Sequence, residues 1–524
     1  MKPKDPSANK CSVSLALAVP GCVAPPRRIS NTRSSSRRAR NDDCSPKQST
    51  NSRTGPHLLL LAVVWQLAVV SIAWGEPPAT PLPARECVAR RARLAAEWAR
   101  EIREGTLEPG LLVLSAANDS ERSRFRQADN FIYLTGLSIP AISALMTPAD
   151  ADGRHREILF LPPKSRSREL WNGPTLSFSP EAAETTGFEQ VAPPARFEEL
   201  AGELLGKGDL IYYLDEPFEE DGLAIQRVRR LIEGIKGFEG SERLELLPLE
   251  ELVHDQRRLK SEVESEAITR AIAATARGLA AGAALIRPGT TEYELQGAIE
   301  GGFIAAGAFG PGFPSIIGSG PNSCILHYNQ NARRLEAGEL VVIDVGASVD
   351  HYTADITRTL PVSGRFSPRQ RAVYAIVLEA QETAARAARP GMSLAEVHQV
   401  AAKVIARGLS ELGLLDGDPG EILSTGAYRR YFPHGTSHWL GIAVHDVGRG
   451  PLEPGAVFTI EPGIYISEES LGVRIEDDFI MTGEGRALRL SEGVPRTADD
   501  LERWIRSLRQ GEARETGESE TGGR

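Results

Sequence analysis

Four carboxylates and a cluster of histidines carry most of the chemistry this chain could do. Asp344 sits inside Leu340–Val345, a short apolar run rich in β-branched residues that reads as a buried strand. Asp355 follows eleven positions later, past a turn-like Ala347–Asp350, at the start of a second strand-like run, Ile356–Leu360. A carboxylate on a buried strand is costly unless a cation compensates it. Arg358 could do so, and for either aspartate alone an ion-paired structural acid is the simpler reading.

A second copy of the pattern changes that balance. Leu335–Gly346 matches Leu452–Gly463 at an offset of 117 (338 to 455), which sets Asp344 against Glu461. Following each copy to its next strand sets Asp355 against Glu476. An Arg-Pro-Gly break with a Thr or Ser cap behind it also recurs, at Arg287 and Arg389. The second half therefore reads as a duplication, a helix pair then a strand pair, used twice. Two copies about a pseudo-two-fold would bring all four acids to one buried place, where they repel unless protonated or bridged by cations. Two divalent ions satisfy that charge and can activate a water between them.

Histidines support this. His434, His438 and His445 lie in one glycine-interleaved stretch between the two acid pairs, and His327 follows a Gly-rich turn at Gly318–Gly320. One histidine in such a place is usually structural; three so close together favour ligands or catalytic groups. The oxygen-rich donor set suits Mn²⁺, with Co²⁺ or Zn²⁺ as alternatives, better than copper.

The elements that position these groups occupy the later part of 524 residues, a length that suits two to four domains. Ser261–Ala284, a segment from Thr291, and Pro368–Ala388 read as helices of a domain over residues 256–500. Ahead of it, residues 84–255 read as a smaller α/β domain. Glu86–Glu104, Ala195–Leu205 and Gly222–Ile235 are its helices, and Leu111–Ser115, Phe131–Leu134, Ile158–Pro162 and Leu210–Leu214 its strands. Trp171 stands in a polar, Gly/Pro-flanked stretch, as a packing residue or as a wall facing substrate. Residues 501–524 form a polar tail, unstructured from about 509.

Net charge is −10 with both signs intermixed, which argues against nucleic acid as the main partner. The five cysteines show neither zinc-like spacing nor a disulfide framework. Residues 1–57 are rich in Ser, Arg, Asn and Pro and should not pack. The apolar run that follows, with small residues at Ala73 and Gly75, makes 58–75 resemble a secretory signal, so export is expected. The polar length ahead of it suggests a start nearer residue 53. The alternatives are an uncleaved membrane anchor and a cytoplasmic chain.

The order Asp344, Asp355, His438, Glu461, Glu476 resembles the ligand set of the "pita-bread" metallopeptidases. His434-Gly435-x-Ser437-His438-Trp439-Leu440-Gly441, followed by His445-Asp446-Val447-Gly448, is most similar to the Xaa-Pro aminopeptidases. Arg126-Gln127-x-Asp129-x-Phe131-x-Tyr133-Leu134-Thr135-Gly136 resembles the creatinase/prolidase-type N-terminal domain. The resemblance covers about residues 85–500 and implies an α/β (α+β) pita-bread fold with an internal pseudo-two-fold. It implies a dinuclear aminopeptidase acting on peptides with proline second. Asp355 and Glu476 would bridge the metals, Asp344 would hold one, and His438 and Glu461 the other. Glu461 would be the general base, and His327 and His445 would bond the scissile carbonyl. His434 and Arg474 would line the proline pocket with Tyr465 nearby, and Trp171 would stand at the entrance, from a neighbouring subunit of a dimer or tetramer. Prolidase and methionine aminopeptidase are the alternatives within the fold, and a non-catalytic binding protein is the alternative outside enzymes.

Overall fold

The computed structural model describes residues 83–118, 124–205, 210–215, 223–233, 235 and 244–521, with side chains to Gln510. The polar leader and the apolar 58–75 segment lie outside them. Among the described residues no helix is long and apolar enough to cross a membrane.

Helix α1 (Ala84–Glu104) buries Leu94, Ala95 and Trp98 along one stripe and stops at Gly105, which is left-handed. After it come β1 (Leu111–Ser115), α2 (Asp129–Thr135), β2 (Ser143–Met146), β3 (Glu157–Phe160) and α3 (Arg166–Asn172). Then α4 (Pro180–Thr186), β4 (Gln190–Ala192), α5 (Phe197–Leu205), β5 (Leu210–Tyr213), α6 (Leu223–Ile232), β6 (Glu245–Pro248) and α7 (Glu250–Arg258) complete the N-terminal domain. Its strands form one mixed sheet in the order β4-β3-β2-β1-β5-β6. Alternation along β1 serves two cores: Leu111 and Val113 join Phe197 and Val228, while Leu112 and Leu114 join Trp98. The second core does not end with the domain. It continues through Val253 into the C-terminal half, as far as Ile505.

Phe131–Leu134, whose aromatic and branched residues suggest a strand, is instead the middle of α2. A short run with every residue buried has no periodicity to distinguish strand from helix. What decides is tertiary: Arg90 and Arg91 of α1 donate to the carbonyls of Tyr133 and Leu134, and left-handed Gly136 ends the helix.

The C-terminal half opens with α8 (Glu262–Leu285), α9 (Glu292–Ala305), β7 (Gly310–Pro311), β8 (Ile316–Ser319), β9 (Leu340–Val345), β10 (Ala347–Val349), β11 (Tyr352–Thr353) and β12 (Ile356–Pro361). The second pass comprises α10 (Pro368–Ala387), α11 (Leu394–Glu411), α12 (Pro419–Thr425), β13 (Val457–Ile460), β14 (Gly463–Ile466), β15 (Leu471–Arg474), β16 (Asp477–Met481) and β17 (Ala487–Arg489), with α13 (Ala498–Thr521) behind it. Ser261, Thr291, Ser367 and Ser393 each close a capping box on the helix that follows, so the helix pairs of both copies begin by one device. In each copy two antiparallel strands then carry the acids, β9 with β12 and β13 with β16.

Three local expectations are corrected. Ala347–Val349 is strand β10 rather than turn; the turn falls on Asp350 and His351, with φ of 50° and 70°, as a two-residue hairpin demands. Arg358 serves neither Asp344 nor Asp355. It is fully buried against Asp477 at 2.6 Å and donates to the carbonyls of Glu476 and Pro495. Finally, the chain past 509 continues as helix to Thr521. Leu501 and Ile505 dock the start of α13, and a helix once nucleated extends with one hydrogen bond per residue.

Asp446 fastens the joint between the domains. Arg257 of α7 donates to its Oδ1 at 2.5 Å and Lys260 to its Oδ2 at 3.1 Å, all three being buried. Burial alone would raise this carboxyl, but the two cations outweigh it and hold it below the usual range. The stability it contributes is therefore present above about pH 4 and lost as pH falls through the lower, folded-state value. Asp446→Ala is expected to cost about 3–5 kcal/mol in urea denaturation at neutral pH. A loss under about 1 kcal/mol would show that the pair merely offsets its own desolvation.

Candidate metal centre

The acids converge because the two copies interlock. Asp344 is on β9, Asp355 immediately precedes β12, Glu461 immediately follows β13, and Glu476 immediately precedes β16. The peptide N–H of Glu476 donates to Thr357 O at 3.1 Å, and Thr357 Oγ1 donates to Glu476 Oε2 at 2.7 Å, which stitches β12 to the second copy. Asp478 holds the other side: both its oxygens accept the peptide N–H of Asp355, at 3.2 and 3.3 Å. A Cβ at position 346 would collide with the Ala354 carbonyl, so only glycine lets the chain bend out of β9 beside Asp344.

His438 comes from a stretch without regular structure that lies along β13. The peptide N–H of Glu461 donates to Thr436 O and that of Thr459 to His438 O, both within 3.0 Å. His438 Nδ1 lies 3.1 Å from Trp439 O, a donor's position, which turns Nε2 toward the carboxylates. Nε2 is 3.4 Å from Asp355, 3.5 Å from Glu461 and 3.7 Å from Glu476.

Whether cations fit is decided by what these oxygens lack. Asp344 Oδ1, Asp355 Oδ1 and Glu476 Oε1 are buried without a hydrogen-bond partner. One ligand atom each from Asp355, His438 and Glu476 falls within 4.8 Å of the other two. Among the described residues that line the site, Arg474 is the one permanent cation, at 2.6 Å from Asp344 Oδ2. Burial, and then Glu476, pushes Glu461 up to about 8; burial, and then Glu476 and Asp344, pushes Asp355 well above the carboxylate range. Burial works against a proton on His438, yet the surrounding carboxylates prevail and raise it. Acids that compete for protons at neutral pH, with bare oxygens facing one another, are a site built for cations.

These groups line one cavity of about 520 Å³. His327, His434, His445 and Arg474 line it too, with Phe313, Pro314, Leu326 and Val444 as apolar wall. Burial, and then the charge on His438, lowers His445 to about 4, so it is a neutral imidazole beside that ring, 4.4 Å between centroids. His434 Nε2 lies 2.8 Å from Tyr465 Oη, which accepts from Arg474 at 2.9 Å. Tyr465 thus stands behind the cavity. Trp171, on α3, is 82 % exposed and does not line it.

The sequence reading missed Asp478, which shares a Glu-Asp-Asp run with Glu476 but is distinguished there by nothing local, and the Phe313-Pro314 wall, which looks like any loop. Residues 266–483 match the model of metallopeptidase family M24, and residues 88–212 that of the aminopeptidase P N-terminal domain. The Xaa-Pro aminopeptidase of Escherichia coli is 34 % identical over 417 residues, 76 % of this chain and 94 % of that one. This chain belongs to the Xaa-Pro aminopeptidases of family M24. Zinc-substituted E. coli aminopeptidase P in complex with product superposes with a TM-score of 0.74 at 32 % identity, covering 82 % of this chain and all of that one. The Pseudomonas aeruginosa aminopeptidase PepP gives 0.73 at 33 %, with the same coverage. The cavity therefore lies in the catalytic domain of an M24 metallopeptidase, and the bare carboxylates have a family reason to be bare.

Proposed function

We propose that this protein removes the N-terminal residue from peptides whose second residue is proline, in a metal-dependent hydrolysis. The observation that carries this is the convergence of Asp355, His438 and Glu476, with Asp344 and Glu461 beside them, in one cavity. In this reading Asp355 and Glu476 would serve both of two divalent cations, Asp344 would help hold one, and His438 and Glu461 the other. Mn²⁺ suits the oxygen-rich set best, with Co²⁺ or Zn²⁺ as alternatives. When bound, the cations supply Lewis acidity and make water a nucleophile at neutral pH.

The chain's own residues do the rest. Glu461 takes the proton of the attacking water, which calls for a carboxylate facing the cavity. His327 and His445 donate to the scissile carbonyl as negative charge develops on it. The bond to proline is a tertiary amide with no N–H, so selection rests on shape rather than on that donor. His434 and Arg474 form the polar side of the proline pocket. Arg474 is already committed to Asp344, Tyr465 and Thr357, and so serves as a rigid wall.

We also propose that the chain acts as a homo-oligomer, supported by Leu170 and Trp171, both 82 % exposed on the short helix α3. Export through residues 58–75 is proposed on composition; N-terminal sequencing of the mature protein tests it. For the reaction, Ala-Pro-Ala-Ala is expected to release alanine at least as fast as Ala-Pro, and Met-Ala-Ser to be inert. Cleavage of the dipeptide alone would make it a prolidase, and release of methionine would move it to the methionine aminopeptidases.

A further inference from the structure

Glu292, the first residue of α9, is wholly buried and far along the chain from any ligand, yet its carboxylate is densely hydrogen-bonded. Its Oε1 accepts from Ser319 N at 2.8 Å, Ser319 Oγ at 2.8 Å and Asn322 Nδ2 at 3.2 Å. Its Oε2 accepts from Tyr328 Oη at 2.9 Å and from the peptide N–H of Arg333 at 2.7 Å. Five donors approach two oxygens. They come from both limbs of a single loop, Ser319 to Arg333, whose middle presents His327 to the cavity.

The backbone of α9's first turn closes the same loop. Glu292 N–H donates to Arg333 O at 2.9 Å, Leu335 N–H to Thr290 O at 2.8 Å, and Thr291 bridges Arg334. On the far side, Gly472 N–H donates to Ser323 Oγ at 2.8 Å, which lays the loop against β15. The Glu292 carboxylate thus ties α9 to both limbs flanking His327, and Asn331 Nδ2, which donates to Gln296 Oε1 at 2.9 Å, adds a second tie on the later limb alone. Ionised acceptors make stronger hydrogen bonds than neutral ones, and a residue held by a satisfied network keeps its position best.

We propose that Glu292 is a positioning residue for His327, fixing the imidazole where it can donate to the scissile carbonyl. The proposal rests on the role given to His327 above. Glutamine in its place keeps the volume but turns one acceptor into a donor that faces the peptide N–H of either Ser319 or Arg333, so one limb is released.

The test uses the full chain loaded with Mn²⁺ and Ala-Pro-Ala-Ala as substrate. Glu292→Gln is expected to lower kcat by about ten- to a hundredfold, the scale for misplacing a catalytic group by about 1 Å, with KM within about twofold. In a His327→Ala background the same substitution should cost less than about twofold, because what it positioned has gone. Hydrogen exchange should speed up across 319–333 and not in β13 or β16. Should Glu292→Gln fail to fold, Tyr328→Phe removes one of the five donors and is expected to show the same pattern with a smaller loss. Full multiplication of the two losses in the double variant would overturn the positioning role. A His327→Ala enzyme of normal kcat would instead overturn the role given to His327, and with it this route.

Discussion

Glu461→Gln is expected to lower kcat for Xaa-Pro peptides by about 10²–10⁴-fold, the range for removing a general base. The substitution is nearly isosteric, and the backbone that positions residue 461 is held independently of its side chain, through its N–H to Thr436 O and the pairing of β13 with β16. The fold should therefore survive, and the thermal midpoint of the metal-free protein at neutral pH should change little, since burial and Glu476 already push Glu461 up to about 8 and the amide replaces a largely neutral group. KM is expected to move far less than kcat, because the amide removes proton uptake rather than the pocket. A variant that kept full activity would take the general base, and the mechanism built on it, away from Glu461.

Removing metal should have the other large effect. Prolonged dialysis against EDTA is expected to abolish hydrolysis, and Mn²⁺, Co²⁺ and Zn²⁺ added back separately should restore it to different extents, ranking the metals. The apoprotein must also be less stable at neutral pH, because one buried oxygen each of Asp344, Asp355 and Glu476 then lacks a hydrogen-bond partner, and only Arg474 and His438 are left to offset the crowded acids. Metal at a hundred times its dissociation constant should return about 2.7 kcal/mol by mass action. A chelated sample that still cleaves before proline would reduce the acid cluster to a structural curiosity.

Much of this was legible in the sequence, and the reasons differ by residue. Asp344 and Glu461 announce themselves because a buried strand with an acid is rare and here occurs twice at one offset. The helices of the C-terminal half are marked by their caps, since Ser or Thr followed by Glu or Gln is a local code. Arg358 could serve Asp355 by sequence proximity, but proximity says nothing about which way a buried guanidinium turns; β12 points it at Asp477, and the partner of Asp344 is Arg474, brought from 130 residues away. Phe131–Leu134 was misread for a related reason, as its helix is settled by arginines on α1. Glu292 could not be found at all, because five weak clues from 319 to 333 become one strong fact only when the loop folds back.

The meeting of the two strand pairs also has an ancestral reading. Each copy contributes two of the four acids, so a half-length progenitor could have gathered such a centre only by pairing with its twin, and a twin pair is obliged to present matching surroundings to both cations. Here the surroundings do not match: Asp344 faces Arg474, while Glu461 faces His438 and His434. Fusion into one polypeptide is what permits that inequality, so each position can be shaped for its own part in the reaction without altering the other.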